Sequence, residues 1–116
     1  MDIVRESGAT GSTAILRLKG PLTLSTLFAL QEKLREIPNS DTVIDVTETP
    51  YIDSAGLGTI LSHWSHTQRT GHKFALTGVS PRIEVLLEIT KVNLVLPTFK
   101  TAEDADRSFT GKAAKA

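Results

Sequence analysis

The chain has 116 residues and a formal net charge of zero, 13 lysines and arginines against 13 aspartates and glutamates. That length fits one domain, and 40% hydrophobic with 22% charged residues suits a packed core rather than a disordered tail. Balanced charge gives no reason to expect nucleic acid or a lipid surface as partner, no apolar run reaches the roughly 18 residues of a membrane span, and zero cysteines exclude disulfides and thiolate chemistry.

Nothing at Met1-Asp2-Ile3 resembles a signal peptide, so a soluble cytoplasmic domain is expected. A weak strand at Ile3-Val4-Arg5 is expected to pair, through a Gly8 to Gly11 turn, with a stronger one at Thr13–Lys19 that Gly20-Pro21 closes. From Leu24 to Ile37 the period becomes helical, with Leu27, Leu30, Leu34 and Ile37 on one face and Pro38-Asn39-Ser40 as the stop. Thr42–Val46 reads as a buried strand. A second helix is predicted from about Ser54, its stripe Leu57, Ile60, Leu61 and Trp64, with Gly71 just past its end. His72–Thr77 reads as a strand. Ser80 and Pro81 then form an N-cap and N1 pair for a third helix that turns Ile83, Leu86 and Leu87 inward. Leu94-Val95-Leu96 predicts a last short strand and Ala102–Phe109 a last helix. Residues 1–110 are thus one domain and 111–116 a flexible tail. Alternating strands and helices predict an α/β fold with parallel crossovers, a small mixed sheet and helices mainly on one face.

One segment departs from this local consistency. Tyr51-Ile52-Asp53-Ser54-Ala55-Gly56-Leu57-Gly58 puts two glycines into the opening turns of the second helix. Each costs roughly 1 kcal/mol relative to alanine in a helix interior, which asks for a close approach by another backbone or by a partner protein. Ser54 stands where free N–H groups and the positive helix end face outward. It reads as an N-cap, as a phosphoacceptor, or as both. A phosphoryl group adds about −1.5 to −2 charges, which a helix N-terminus tolerates, and Asp53 already places one negative charge beside it.

The run Val43-Ile44-Asp45-Val46 followed by Tyr51–Gly58 resembles the signature of the STAS family, the anti-sigma factor antagonists of bacteria. Gly20-Pro21-Leu22-Thr23 resembles the turn before that family's first helix. Thr70–Pro81 resembles its fourth strand and following turn, and Leu86-Leu87 and Leu94 its third helix and last strand. The resemblance covers about residues 3–109. It implies a STAS-like fold and a switch protein without an activity or cofactor of its own. Ser54 would be phosphorylated by an anti-sigma factor that is also a GHKL-type serine kinase. The unphosphorylated form would bind that kinase and release a sigma factor, and a metal-dependent serine phosphatase would restore it. Carried over by residue, Asp53, Ala55, Gly56, Leu57, Gly58 and Thr23 would form the partner-binding junction. Asp45 matches an acidic strand residue and is equally readable as structural, satisfying nearby backbone N–H groups. Thr23 stands where antagonists commonly carry an acidic residue; it can still cap the first helix, and Pro21 also replaces a residue often charged. The alternative is a stand-alone STAS subunit that docks on the ATPase of a lipid transporter, with Ser54 unmodified.

Three histidines complete the inventory of candidate chemistry. His63 and His66, at i and i+3, are spaced for two metal ligands, but no spacing supports a third, and polar residues on a solvent face are expected instead. A serine hydrolase is disfavoured, because Ile52 occupies the first glycine of the G-x-S-x-G elbow. His63 and His66 also lie roughly 13–18 Å along the helix from Ser54, and His72 could approach only from a strand start. Trp64 is expected in the core and Gly78 at a turn needing positive φ.

Overall fold

In the computed structural model, the inner strands of the sheet are buried almost continuously, because helices cover both of its faces. Residues 1–9, 11–37 and 39–109 are described; the expected tail at 111–116 lies outside them. Strand β1 (Asp2–Ser7) pairs antiparallel with β2 (Thr13–Lys19), Asp2 against Lys19 and Ser7 against Ala14. Next come α1 (Leu27–Glu36), β3 (Asp41–Glu48), α2 (Ser54–Arg69) and β4 (Phe74–Thr77). After them follow α3 (Pro81–Ile89), a 3-10 turn at Val92–Leu94, β5 (Thr98–Phe99) and α4 (Ala102–Phe109).

The sheet order is β1-β2-β3-β4-β5, parallel from β2 onward. Each crossover moves one strand in the same direction. Right-handed crossovers that never reverse direction leave their helices on one face. Accordingly Leu16, Leu18, Ile44, Val46, Phe74 and Leu76 meet Leu27 and Leu30 of α1, Leu57 and Ile60 of α2, and Ile83 and Leu87 of α3. The alternate residues Ile15, Val43 and Ala75 meet Ala102 and Ala105 of α4 on the other face. The expected α/β class, the mixed and mostly parallel sheet and the mainly one-sided helix layer all hold.

Local signals act as expected at several ends. Ser80 caps α3 by accepting from the Ile83 amide at 3.3 Å, with Pro81 in its first turn. Gly71 and Gly78 both have positive φ, 77° and 72°, and a Cβ on Gly78 would overlap the Thr47 hydroxyl. Trp64 is half-buried against the main core.

Other expectations are corrected. Leu94-Val95-Leu96 is not a strand: Leu94 is 74% and Val95 60% exposed, and the strand is Thr98–Phe99. Lys91, in the left-handed region at φ 66°, turns the chain after α3, so only Leu96 of the apolar run reaches the core. Thr23 does not cap α1 with its side chain. The helix starts at Leu27, and the Thr23 carbonyl, not its hydroxyl, accepts the Thr26 and Leu27 amides. Asp45 is buried within β3 and accepts from hydroxyls rather than backbone N–H groups: Thr77 Oγ1 at 2.8 Å and Thr47 Oγ1 at 2.9 Å. It also pairs with Arg17 Nη1 at 3.3 Å, and Arg17 reaches Glu6 and Glu103, tying the edge hairpin to α4.

Candidate functional site: the exposed start of helix α2

The loop before α2 is held by its neighbour. The Leu22 amide donates to the Tyr51 carbonyl at 3.1 Å, and the Asp53 amide donates to the Leu22 carbonyl at 3.1 Å. Leu22 and Ile52 form a parallel bridge, both buried. The β2–α1 segment therefore lies directly against the loop that leads to Ser54, and Thr23 and Ser54 belong to one surface region.

The cap residue is Asp53 and not Ser54. One Asp53 carboxylate oxygen accepts the Gly56 amide at 2.8 Å and the other accepts the Leu24 amide at 3.0 Å. One side chain thus satisfies a free N–H at the start of α2 and fastens the β2–α1 loop to it. The Gly56 amide, then the Leu24 amide, hold the Asp53 carboxyl below its ordinary pKa. Ser54 is consequently the first helical residue, exposed, with no hydrogen-bond partner for its hydroxyl among the described residues.

The two glycines have different reasons. A Cβ on Gly56 would overlap the Leu22 carbonyl oxygen, so this position serves an internal close approach. Gly58 is exposed, and a Cβ there would meet nothing within 4 Å. Of the other junction residues, Ala55 is half-buried against the core and Leu57, 4% exposed, points into it. Gly56 and Leu57 therefore shape the junction from inside, and the accessible surface falls to Asp53, Ser54 and Gly58. Next to it, Leu24 and Phe28 are each 66% exposed, two apolar side chains on the segment that Asp53 tethers. On the loop itself, Tyr51 is 39% exposed and carries the Arg82 guanidinium 5.0 Å above its ring. Leu24, Phe28, Tyr51 and Arg82 were not singled out from sequence. Their exposure depends on how loop and helices meet, which periodicity does not show.

The histidines lie elsewhere. Ser54 follows the C-terminal end of β3, whereas His72 precedes β4, beside Asp41 at 3.5 Å. Because β3 and β4 are parallel, the two residues sit at opposite ends of the sheet. His63 and His66 are half-buried rather than on a solvent face. His63 contacts Thr42 Oγ1 at 3.1 Å and the edge of Phe74, and burial, then His66, push its pKa down to about 4. They line a groove of about 450 Å³ between α1 and α2.

A small domain with a strand order that never reverses, one antiparallel edge and a serine at the open start of its central helix is of the STAS class. The family model for the STAS domain matches residues 5–105, and the chain belongs to that family. Solved structures agree on the fold. A STAS domain anti-sigma-factor antagonist from Planctomyces limnophilus superposes with TM-score 0.81 at 18% identity, over 95% of this chain and 99% of that one. The anti-sigma factor antagonist SpoIIAA in its unphosphorylated form gives 0.78 at 18% identity, over 95% and 97%. A sulfate transporter family protein from Wolinella succinogenes gives 0.75 at 18% identity, over 89% and 88%.

Proposed function

We propose that the protein is an anti-sigma factor antagonist controlled by phosphorylation of Ser54, a binding module and not a catalyst. The observation that carries this reading is the division of labour at α2. Asp53 takes the cap, so the Ser54 hydroxyl is exposed without a partner among the described residues. Gly58, one turn further on, is a helix-interior glycine with no internal neighbour that requires it. A glycine that costs about 1 kcal/mol of helix propensity and serves no internal contact leaves room for another protein's backbone. The exposed Leu24 and Phe28 add apolar surface beside it.

In this reading an anti-sigma factor that is also a GHKL-type serine kinase grips Asp53, Ser54 and Gly58 with the adjoining Thr23 segment. Unmodified protein sequesters that kinase and frees a sigma factor. The phosphoryl group, next to the Asp53 carboxylate, repels the partner without breaking the helix start, where negative charge is tolerated. A metal-dependent serine phosphatase resets the switch. The test is incubation with candidate GHKL kinases and ATP, followed by phosphosite mapping. Modification at Ser54 is expected, Ser54→Ala should bind yet resist it, and Ser54→Asp should bind more weakly. No modification by any candidate, or equal binding of both variants, overturns the mechanism.

A second reading is a subunit docked on a transporter ATPase, for instance of a lipid-exporting complex; what favours it is only that the fold also occurs in a sulfate transporter family protein. Here Ser54 stays unmodified, and a pull-down should recover an ATPase equally with wild-type protein and Ser54→Ala.

A further inference from the structure

Helix α3 opens on the same edge of the sheet as α2, because the strands that feed them, β3 and β4, are parallel neighbours. Along α3, Ile83 and Leu87 are each 1% exposed and turn to the core. Arg82, Val85 and Ile89, at i, i+3 and i+7, share a side that faces solvent. Glu84 and Glu88, at i and i+4, are exposed on the other flank. Val85 is 53% and Ile89 72% exposed, both β-branched and apolar at helix positions where lysine or glutamate is the better helix former. Arg82 is held differently from most arginines of the chain. Arg17, Arg35 and Arg107 pair with carboxylates. The Arg82 guanidinium instead lies 5.0 Å over the Tyr51 ring, with no carboxylate partner among the described residues. A cation held by a ring face is positioned while its N–H donors stay unspent. That ring belongs to the loop that leads to Ser54.

We propose that this side of α3 is a second docking patch for the protein that grips the start of α2, and that it receives a carboxylate flanked by apolar side chains. The inference rests on the phosphorylation-switch reading and names the chemistry its partner must carry. Charge complementarity selects the acidic group, since Arg82 is a placed cation that no internal carboxylate neutralises. Val85 and Ile89 select the apolar neighbours, one and two turns further along the same side. Tyrosine and arginine are the side chains that most often anchor interfaces, and here they join the patch to the loop before Ser54. Glu84 and Glu88 sharpen the register, because an acidic group seated on their flank of the helix meets like charge.

The test uses the full chain and a GHKL kinase that binds it. Arg82→Gln should weaken binding by about 10-fold and flatten the fall of affinity with rising salt. Val85→Gln combined with Ile89→Gln, which puts good helix formers at both places, should weaken binding to a similar extent while the amide spectrum stays folded. Added kinase should shift or broaden the resonances of Tyr51, Arg82, Val85 and Ile89. Wild-type affinity in both variants, with Ser54→Asp still binding weakly, overturns the patch and leaves the switch reading standing. Binding of Ser54→Asp as tight as wild type, or no kinase that binds at all, overturns both. A salt dependence unchanged in Arg82→Gln overturns the carboxylate assignment. Self-association of the free protein that the double variant abolishes gives this face to a second copy, and overturns the proposal as well.

Discussion

Asp53 and Ser54 divide between them two roles that the sequence allowed Ser54 to hold alone. With the carboxylate at 2.8 Å from the Gly56 amide, the hydroxyl one residue later is left over for a partner. The neighbouring glycines separate internal from external need in the same way. Gly56→Ala pushes a methyl into the Leu22 carbonyl and should destabilise the fold by roughly 1–3 kcal/mol. Gly58→Ala meets open space and should stabilise it by about 0.5–1 kcal/mol through helix propensity. Urea midpoints of the two variants give the comparison, and equal shifts of the same sign would contradict this assignment. On the proposed function, Gly58→Ala should nonetheless weaken kinase binding, separating stability from recognition at one atom's cost.

Helix α2 begins where it does because its cap also bonds another element. Asp53 accepts from its own helix and from Leu24 of the preceding loop, so the start of α2 and the approach to α1 are one hydrogen-bonded unit. Its folded pKa lies below the ordinary carboxylate value. The contribution is therefore fully present above about pH 4, near the unfolded pKa, and is lost as pH falls through the folded value. Asp53→Asn keeps a capping oxygen but not the charge, and should flatten that acid-side loss in pH-dependent melting. Asp53→Ala should also speed amide exchange at both Gly56 and Leu24. Faster exchange at Gly56 alone would show that the loop is held by other contacts. The misread strand at Leu94–Leu96 has an element-scale cause as well. Three apolar residues in a row look like a buried strand, but a left-handed Lys91 and a 3-10 turn present two of them to solvent.

At the scale of the molecule, zero net charge makes one added phosphoryl group conspicuous. Modified protein should gain about 1.5–2 negative charges and move to a more acidic position on isoelectric focusing. Its thermal midpoint should stay within a few degrees of the unmodified form, since Ser54 is exposed and outside both hydrophobic clusters. A large drop would mean that the phosphoryl group disrupts the fold and does not act on a surface. Much of this was legible in the chain itself. Short apolar runs and the 3.6-residue period are local, and they gave the helices and four of the strands; so are Ser80-Pro81, Gly71 and the glycine-rich run after Asp53. The resemblance of that run to one family pointed to the junction. What local pattern could not give was the partner across space. That Asp45 would face Thr77 and Arg17, that Leu22 would press on Gly56, and that His63 of α2 would meet Thr42 of β3 all depend on strand order. Sequence by itself determined which segments bury a face, because burial is written in spacing along the chain. Only the tertiary structure decided which side chains meet, because residues 21 to 97 positions apart are joined by sheet order and packing, which spacing does not encode.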